Sequence, residues 1–408
     1  MEVLTKKINF SILCCLSLLL ILISCGSDSD NPGVDDGPGL IPEPPPKITS
    51  IEPTSAARGE QVTITGTDFS NVASENLVEF NGVAATVGSA TAIQIVTTVP
   101  EEATTGPLTI TYNDQTGTSA NDFEVLADAW RKKADFEGGS RFRAIAFAID
   151  NMGYVGTGED SEDNRLKDFW EFDPILNAWN KKQDFEGSAR KAALGFAVGE
   201  KGFLGTGSDS EGNVKDFWEF DLGDNSWVQK ADAFKIAGAQ GFVIGNSIYL
   251  LSTGSKAFFE YDVSSDNWIE RANFAGDSRS SAIGFSIDGR GYIGTGSGNG
   301  IKQDFWEYDP TSDEWIQKAD FGGDARRGAI SFVLSGKGYV GLGDNNAKVL
   351  RDLWEYDSEL DSWTKKADFG GVAREYAVVF AIDNRAYVGT GRDNEGNHLS
   401  DFWEYIPD

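Results

Sequence analysis

"DFWEYD" at residues 304–309 decides the fold, because it does not stand alone. DFWEFD stands at 168–173 and at 216–221, DLWEYD at 352–357 and DFWEYI at 401–406, with a weakened AFFEYD at 257–262. The third letter of the six copies is Trp170, Trp218, Phe259, Trp306, Trp354 and Trp403. A second tryptophan series falls at 130, 179, 227, 268, 315 and 363, spaced by 49, 48, 41, 47 and 48 residues. Internal repeats of this length indicate stacked supersecondary units. Each unit keeps one order: a small-residue strand such as RAIAFAID (143–150), GYVGTG (153–158), the hexapeptide, then a strand beginning at the second tryptophan. Four strands per unit make a propeller blade. Ala144, Ala146, Ala148, Ala192, Ala193, Gly195, Gly238, Ala239 and Gly241 on the first strands suit a crowded axis, and the aromatics suit the widening wedge outside it.

The last unit ends at DFWEYI without an outer strand, whereas AWRKKADF (129–136) precedes the first unit with no blade of its own. That orphan is expected to complete the sixth blade and seal the ring, removing two exposed sheet edges. Residues 129–408 resemble the kelch, or galactose-oxidase-like, propellers, whose period is ~50 residues.

Upstream, QVTITG (61–66), NLVEFNG (76–82), AIQIVTTVP (92–100), PLTITYN (107–113) and NDFEVL (121–126) are short alternating runs bounded by Gly, Pro or Asn. That pattern reads as a β-sandwich. IEPTSAARGEQVTITGTDF, VEFNGVAATV and TGPLTITY resemble the IPT/TIG Ig-like family, which implies a spacer or adhesion module. The fold class expected is therefore all-β: an Ig-like sandwich over 48–126, then a six-bladed kelch-type β-propeller over 127–408.

The N-terminus reads as an address. Lys6 and Lys7 precede an apolar run from Ile8 to Ile23, a signal-type length. LISC (22–25) resembles a bacterial lipobox, which implies removal of residues 1–24 and lipidation of Cys25. Gly26 and the acidic GSDSD that follows resemble outer-membrane and surface lipoproteins of the Bacteroidetes. Residues 25–47, ending in PEPPPK, cannot bury a core and read as an extended tether.

Composition removes whole classes of function. Lys plus Arg number 35 against 64 Asp plus Glu, a net charge of −29, which argues against nucleic acid and against membrane contact other than through the lipid. The three cysteines lie at 14, 15 and 25, and His398 is the only histidine. A disulfide framework, a thiol nucleophile, a Ser-His-Asp triad and a multi-histidine metal site are thus excluded from the domains. The galactose oxidase copper site, which the resemblance would imply, needs histidines and a Cys-Tyr crosslink that are absent. No cofactor is called for. DSEDN (160–164), DSEGN (209–213) and DNEGN (393–397) are faintly similar to calcium loops, yet none has the full spacing, and acidic hairpin turns explain them better. His398, in the last of them, is expected at the surface.

Blade three is the informative exception. Arg141, Arg190, Arg279, Arg326 and Arg374 open five inner strands, and Ile236 the other. Asp168, Asp216, Asp304, Asp352 and Asp401 open five hexapeptides, and Ala257 the other. The joint loss implies structural Arg–Asp pairs. The hexapeptide glutamates persist in all six, so a backbone hydrogen bond at the blade interface is expected of them. Blade three also has a shortened second-to-third loop, STGSKAFFEYD (252–262), which would leave a notch.

A unique ligand should meet residues that differ between repeats. The two positions after the inner-strand arginine qualify, at the channel mouth. Phe142 and Tyr376 could stack on a sugar; Arg143, Lys191 and Arg327 could hold a carboxylate or hydroxyls; Glu375 could accept. The expected function is a non-enzymatic, surface-tethered monomer whose loop face engages a glycan or a protein. Alternatives are a cofactor-free sugar mutarotase, similar to the kelch-type sialic acid enzymes, and a scaffold in an envelope complex.

Overall fold

The computed structural model describes residues 44–408. The leader, Cys25 and the tether up to residue 43 lie outside the described residues.

The first domain is a sandwich of two antiparallel sheets. One runs in the order Lys47–Glu52, Gln61–Thr67, Gln94–Thr98, Val87–Thr91. The other runs Val83–Ala85, Leu77–Phe80, Leu108–Tyr112, Gln115–Thr118. Strand alternation sends Val62, Ile64, Val78, Phe80, Ile95, Leu108 and Ile110 into one core, where Phe123 meets Phe80 edge-on at 5.0 Å. The strands Val83–Ala85 and Gln115–Thr118 carry small and polar residues with no alternating apolar set, so pattern alone does not reveal them.

The second domain consists of six four-stranded antiparallel sheets. In blade one the strands are Ile145–Ile149, Met152–Gly156, Phe169–Asp173 and Ala178–Lys181, from the inside outward. Each inner strand touches the next, and Val378–Ile382 of blade six returns to Ile145–Ile149, so the inner strands form a closed ring. Blade six takes its outer strand, Ala129–Lys133, from the start of the domain; it pairs antiparallel with Phe402–Ile406. The result is a six-bladed propeller sealed by its own N-terminal strand.

The inner strands are not uniformly small. They alternate between the two blade interfaces: Ile145, Phe147 and Ile149 are buried against blade two, while the partly buried Ala146 and Ala148 pack against Val378, Phe380 and Ile382 of blade six. The wedge between blades is filled by aromatics, each large buried side chain contributing about 1.5–3 kcal/mol. Glycines make room for them. A Cβ on Gly153 would stand 2.1 Å from the Phe380 ring, and one on Gly202 would stand 2.4 Å from Phe147. The first glycine of GYVGTG is therefore the seat for a phenylalanine of the preceding blade.

Outer tryptophans clamp the blades. Trp227, Trp315 and Trp130 each donate Nε1–H to a carbonyl of the preceding blade, at Gln183, Ala272 and Ala367. Close by, Asp313, Asp361 and Asp128 accept the backbone N–H of Ala272, Ala319 and Ala367 and the hydroxyls of Tyr308, Tyr356 and Tyr405. Trp130 and Asp128 thus make the same clamp at the closure that the other units make within the ring.

Candidate functional site

The five arginines that open inner strands are fully or almost fully buried. Arg326 donates from Nη1 and Nη2 to the two oxygens of Asp352 at 2.7 and 2.8 Å, and from Nη1 to the Leu342 carbonyl at 2.9 Å. Its guanidinium lies 4.7 Å from the Phe321 ring centre. Arg141–Asp168, Arg190–Asp216 and Arg279–Asp304 repeat the two-pronged contact, while Arg374 reaches Asp401 through one oxygen at 2.8 Å. The hexapeptide tryptophans complete the set: Trp354 donates Nε1–H to Asp352 at 2.8 Å. Burial alone would raise the carboxyls of Asp216, Asp304, Asp352 and Asp401; the arginine hydrogen bonds and charge, with the indole N–H, hold them below the usual carboxylate range. In blade three, Phe234 stacks on Phe259 at 3.8 Å in place of this polar plug.

The hexapeptide glutamates correct the expectation made of them, because side chains satisfy them rather than the backbone. Glu171 accepts from the Tyr154 hydroxyl at 2.8 Å and Lys182 at 3.2 Å; Glu260 accepts from Ser247 and Arg271 at 2.6 and 2.7 Å. A carboxylate midway along the third strand lies between the second and outer strands, whose facing backbone groups are paired with the third strand itself.

The residue two places after each arginine position lies in the left-handed region: Arg143, Ala192, Gly238, Ser281, Gly328 and Tyr376, with φ from 52° to 67°. The six are joined in a circle. Ala192 N–H donates to the Arg143 carbonyl at 2.9 Å, Gly238 to Ala192 at 2.9 Å, Ser281 to Gly238 at 3.3 Å, Gly328 to Ser281 at 3.0 Å, Tyr376 to Gly328 at 2.8 Å and Arg143 to Tyr376 at 3.2 Å. This closed backbone collar rings the axis. With its peptide groups so engaged, selectivity at the mouth falls to side chains, and only Arg143 and Tyr376 are large.

Inside the collar lies a cavity of about 420 Å³, within the range of small-molecule sites. Arg143, Gln240, Thr253, Ser280, Ser281, Ser331 and Tyr376 supply its polar groups, and alanine, glycine and aliphatic side chains the rest. The axis is tight where blades three and four meet: a Cβ on Gly284 would come 2.6 Å from the Gly241 carbonyl oxygen. Tyr376 crosses the mouth, its hydroxyl 3.2 Å from Ser281 Oγ and its ring over Gly328, where a Cβ would be 3.0 Å away. The Ala192–Gly238 sector, beside the short loop of blade three, carries no large side chain.

The two positions after each arginine therefore part company. Arg143 and Tyr376 line the cavity; Phe142, Lys191, Arg327 and Glu375 do not. The latter point to the long loops and face the residue after each GTG-type turn, as the bridges Phe142 to Glu159, Lys191 to Ser208, Arg327 to Asp344 and Glu375 to Arg392 record. Arg327 donates to Asp344 at 2.9 Å, Arg392 Nε donates to Glu375 at 3.2 Å, and Lys191 is paired with Glu159. Phe142 is buried, with Arg143, Lys191 and Arg392 over its ring, so it offers no face to solvent. His398 is not the exposed loop residue expected; it is half-buried, its ring 4.7 Å from Phe142, because a large apolar ring there needs a cover. Buried polar atoms without partners gather here: Arg143 Nε, Glu375 Oε2 and His398 Nδ1.

Gln240 and Thr253 are cavity residues that the motif comparison passes over. The signal for Gln240 is a polar residue on the inner strand of blade three, where Ile145, Leu194, Ile283 and Ile330 stand in other blades; Thr253 lies in the short loop after the second strand. In the acidic loops, Asp160 and Asp393 each accept the backbone N–H groups of their own turns, as capped hairpins do. Among the described residues no group of three or more His, Cys, Asp or Glu is placed to hold a metal ion.

With this geometry in hand, comparison with known families is specific to the first domain. Residues 46–125 match the IPT/TIG domain family. The match covers the sandwich alone. No curated protein matches the chain.

Proposed function

We propose that this chain is a non-enzymatic binding protein whose ligand, the end of a glycan, enters the axial cavity of a kelch-type propeller from the collar face. The observation that carries the reading is the lining: a cavity of about 420 Å³ with hydroxyl, amide and guanidinium groups but no carboxylate, imidazole or thiol. Such a surface hydrogen-bonds a polyol. It lacks the positioned acid and base that a mutarotase requires, since Glu375 faces Arg392 away from the axis. A purely structural scaffold gives no reason for an open polar axis. The lipobox-like leader and Pro-rich tether support a lipid-anchored monomer at the outer surface, with the IPT/TIG domain as spacer.

The test is a glycan array probed with wild-type chain and with Arg143→Ala and Tyr376→Ala. Binding by wild type that both variants lose is expected. Absence of binding to every glycan, or variants equal to wild type, would reject the axial site.

A further inference from the structure

The cations around the collar are answered by acids, with one exception. Lys191 has Glu159, Arg327 has Asp344 and Arg392 has Glu375. Arg143 forms no ion pair among the described residues. Its guanidinium stacks 4.3 Å from the Tyr376 ring centre and 5.5 Å from that of Phe142, contacts that fix its plane without neutralising its charge. Its Nε is buried without an acceptor. In a chain with 64 acidic against 35 basic residues, an unanswered arginine at a cavity mouth is a place that favours an anion.

Resting on the axial-site reading above, we propose that the ligand carries a carboxylate: the axial cavity takes an acidic sugar, its carboxylate on Arg143 and its hydroxyls on Tyr376, Ser281, Thr253 and Gln240. A planar guanidinium held by two aromatic rings presents a fork that matches a carboxylate and not a lone hydroxyl. The rest of the lining agrees, because a carboxylate there would repel this ligand, and none is present. The serine and amide groups are too weakly polar to discriminate charge, so the preference would reside in Arg143.

Titration calorimetry of the full-length chain with D-glucuronate against D-glucose, and D-galacturonate against D-galactose, tests this. Expected is binding of an acid at least about tenfold tighter than its neutral partner, the value of one charge-assisted contact. Arg143→Gln should abolish that difference, weakening the acid more than its neutral partner, with the melting temperature unchanged, and Arg143→Lys should restore part of it. Neutral sugars bound as tightly as acids, or Arg143→Gln retaining the preference, would overturn the carboxylate assignment and leave the sugar-binding reading standing. Silence from all four sugars would overturn both.

Discussion

Arg326 shows why a charged residue opens the inner strands of five blades. Its side chain is fully buried, yet two carboxylate oxygens and a carbonyl meet its donors and Phe321 covers its face. Removing it strands Asp352 and the Leu342 carbonyl. Arg326→Ala should therefore cost about 3 kcal/mol in urea unfolding, the range for breaking a buried pair from one side. Arg326→Ile with Asp352→Ala should recover part of that loss, because no lone charge remains. Neither should alter ligand affinity, since Arg326 lies outside the cavity lining. Equal stability of single and double variants would contradict the pairing. The arginine and aspartate were visible in the sequence because they vanish together at Ile236 and Ala257. Their tryptophan and carbonyl partners were not, since a hydrogen bond to backbone leaves no trace in residue identity. The same limit applies at the mouth. Sequence places Phe142 and Arg143 side by side, but the left-handed turn at Arg143 sends one side chain to the loops and the other to the axis.

At the scale of elements, Ala129–Lys133 carries the closure. It covers the edge of Phe402–Ile406, and Trp130 packs on Phe369 at 4.8 Å and Tyr405 at 4.9 Å. Deleting 129–136 should lower the melting temperature by about 10 °C or more and cause aggregation through the freed edge. An unchanged melting temperature would show that the ring does not depend on this strand. The blades were legible because each must fill the same wedge, so the same aromatics recur at the same spacing. Blade three was the hardest to place, for the same reason: its filling is Phe234 on Phe259, and with the register marks gone, Gln240 and Thr253 could not be assigned to the axis.

For the whole molecule, the lowered carboxyls of Asp216, Asp304, Asp352 and Asp401 act together. A carboxyl depressed in the folded state contributes stability above its unfolded pKa of about 3.9, and loses it as pH falls through the folded value. Melting temperature should thus hold from neutral pH to about pH 4 and fall below it, with a shallower fall in Asp352→Asn. A decline complete well above pH 4 would point to other groups. The two domains are tied where Arg131 reaches Glu60 at 2.7 Å and Glu404 through Nε at 2.8 Å. Glu60→Gln should speed proteolysis near residues 126–128 with little change in propeller melting; unaltered cleavage would mean the tie is not limiting. The central claim concerns the axis, and it is tested most directly by a crystal structure with the strongest glycan from the array. The account predicts density inside the collar, between Arg143, Tyr376 and Gln240. Density confined to the outer loops over an empty cavity would contradict it.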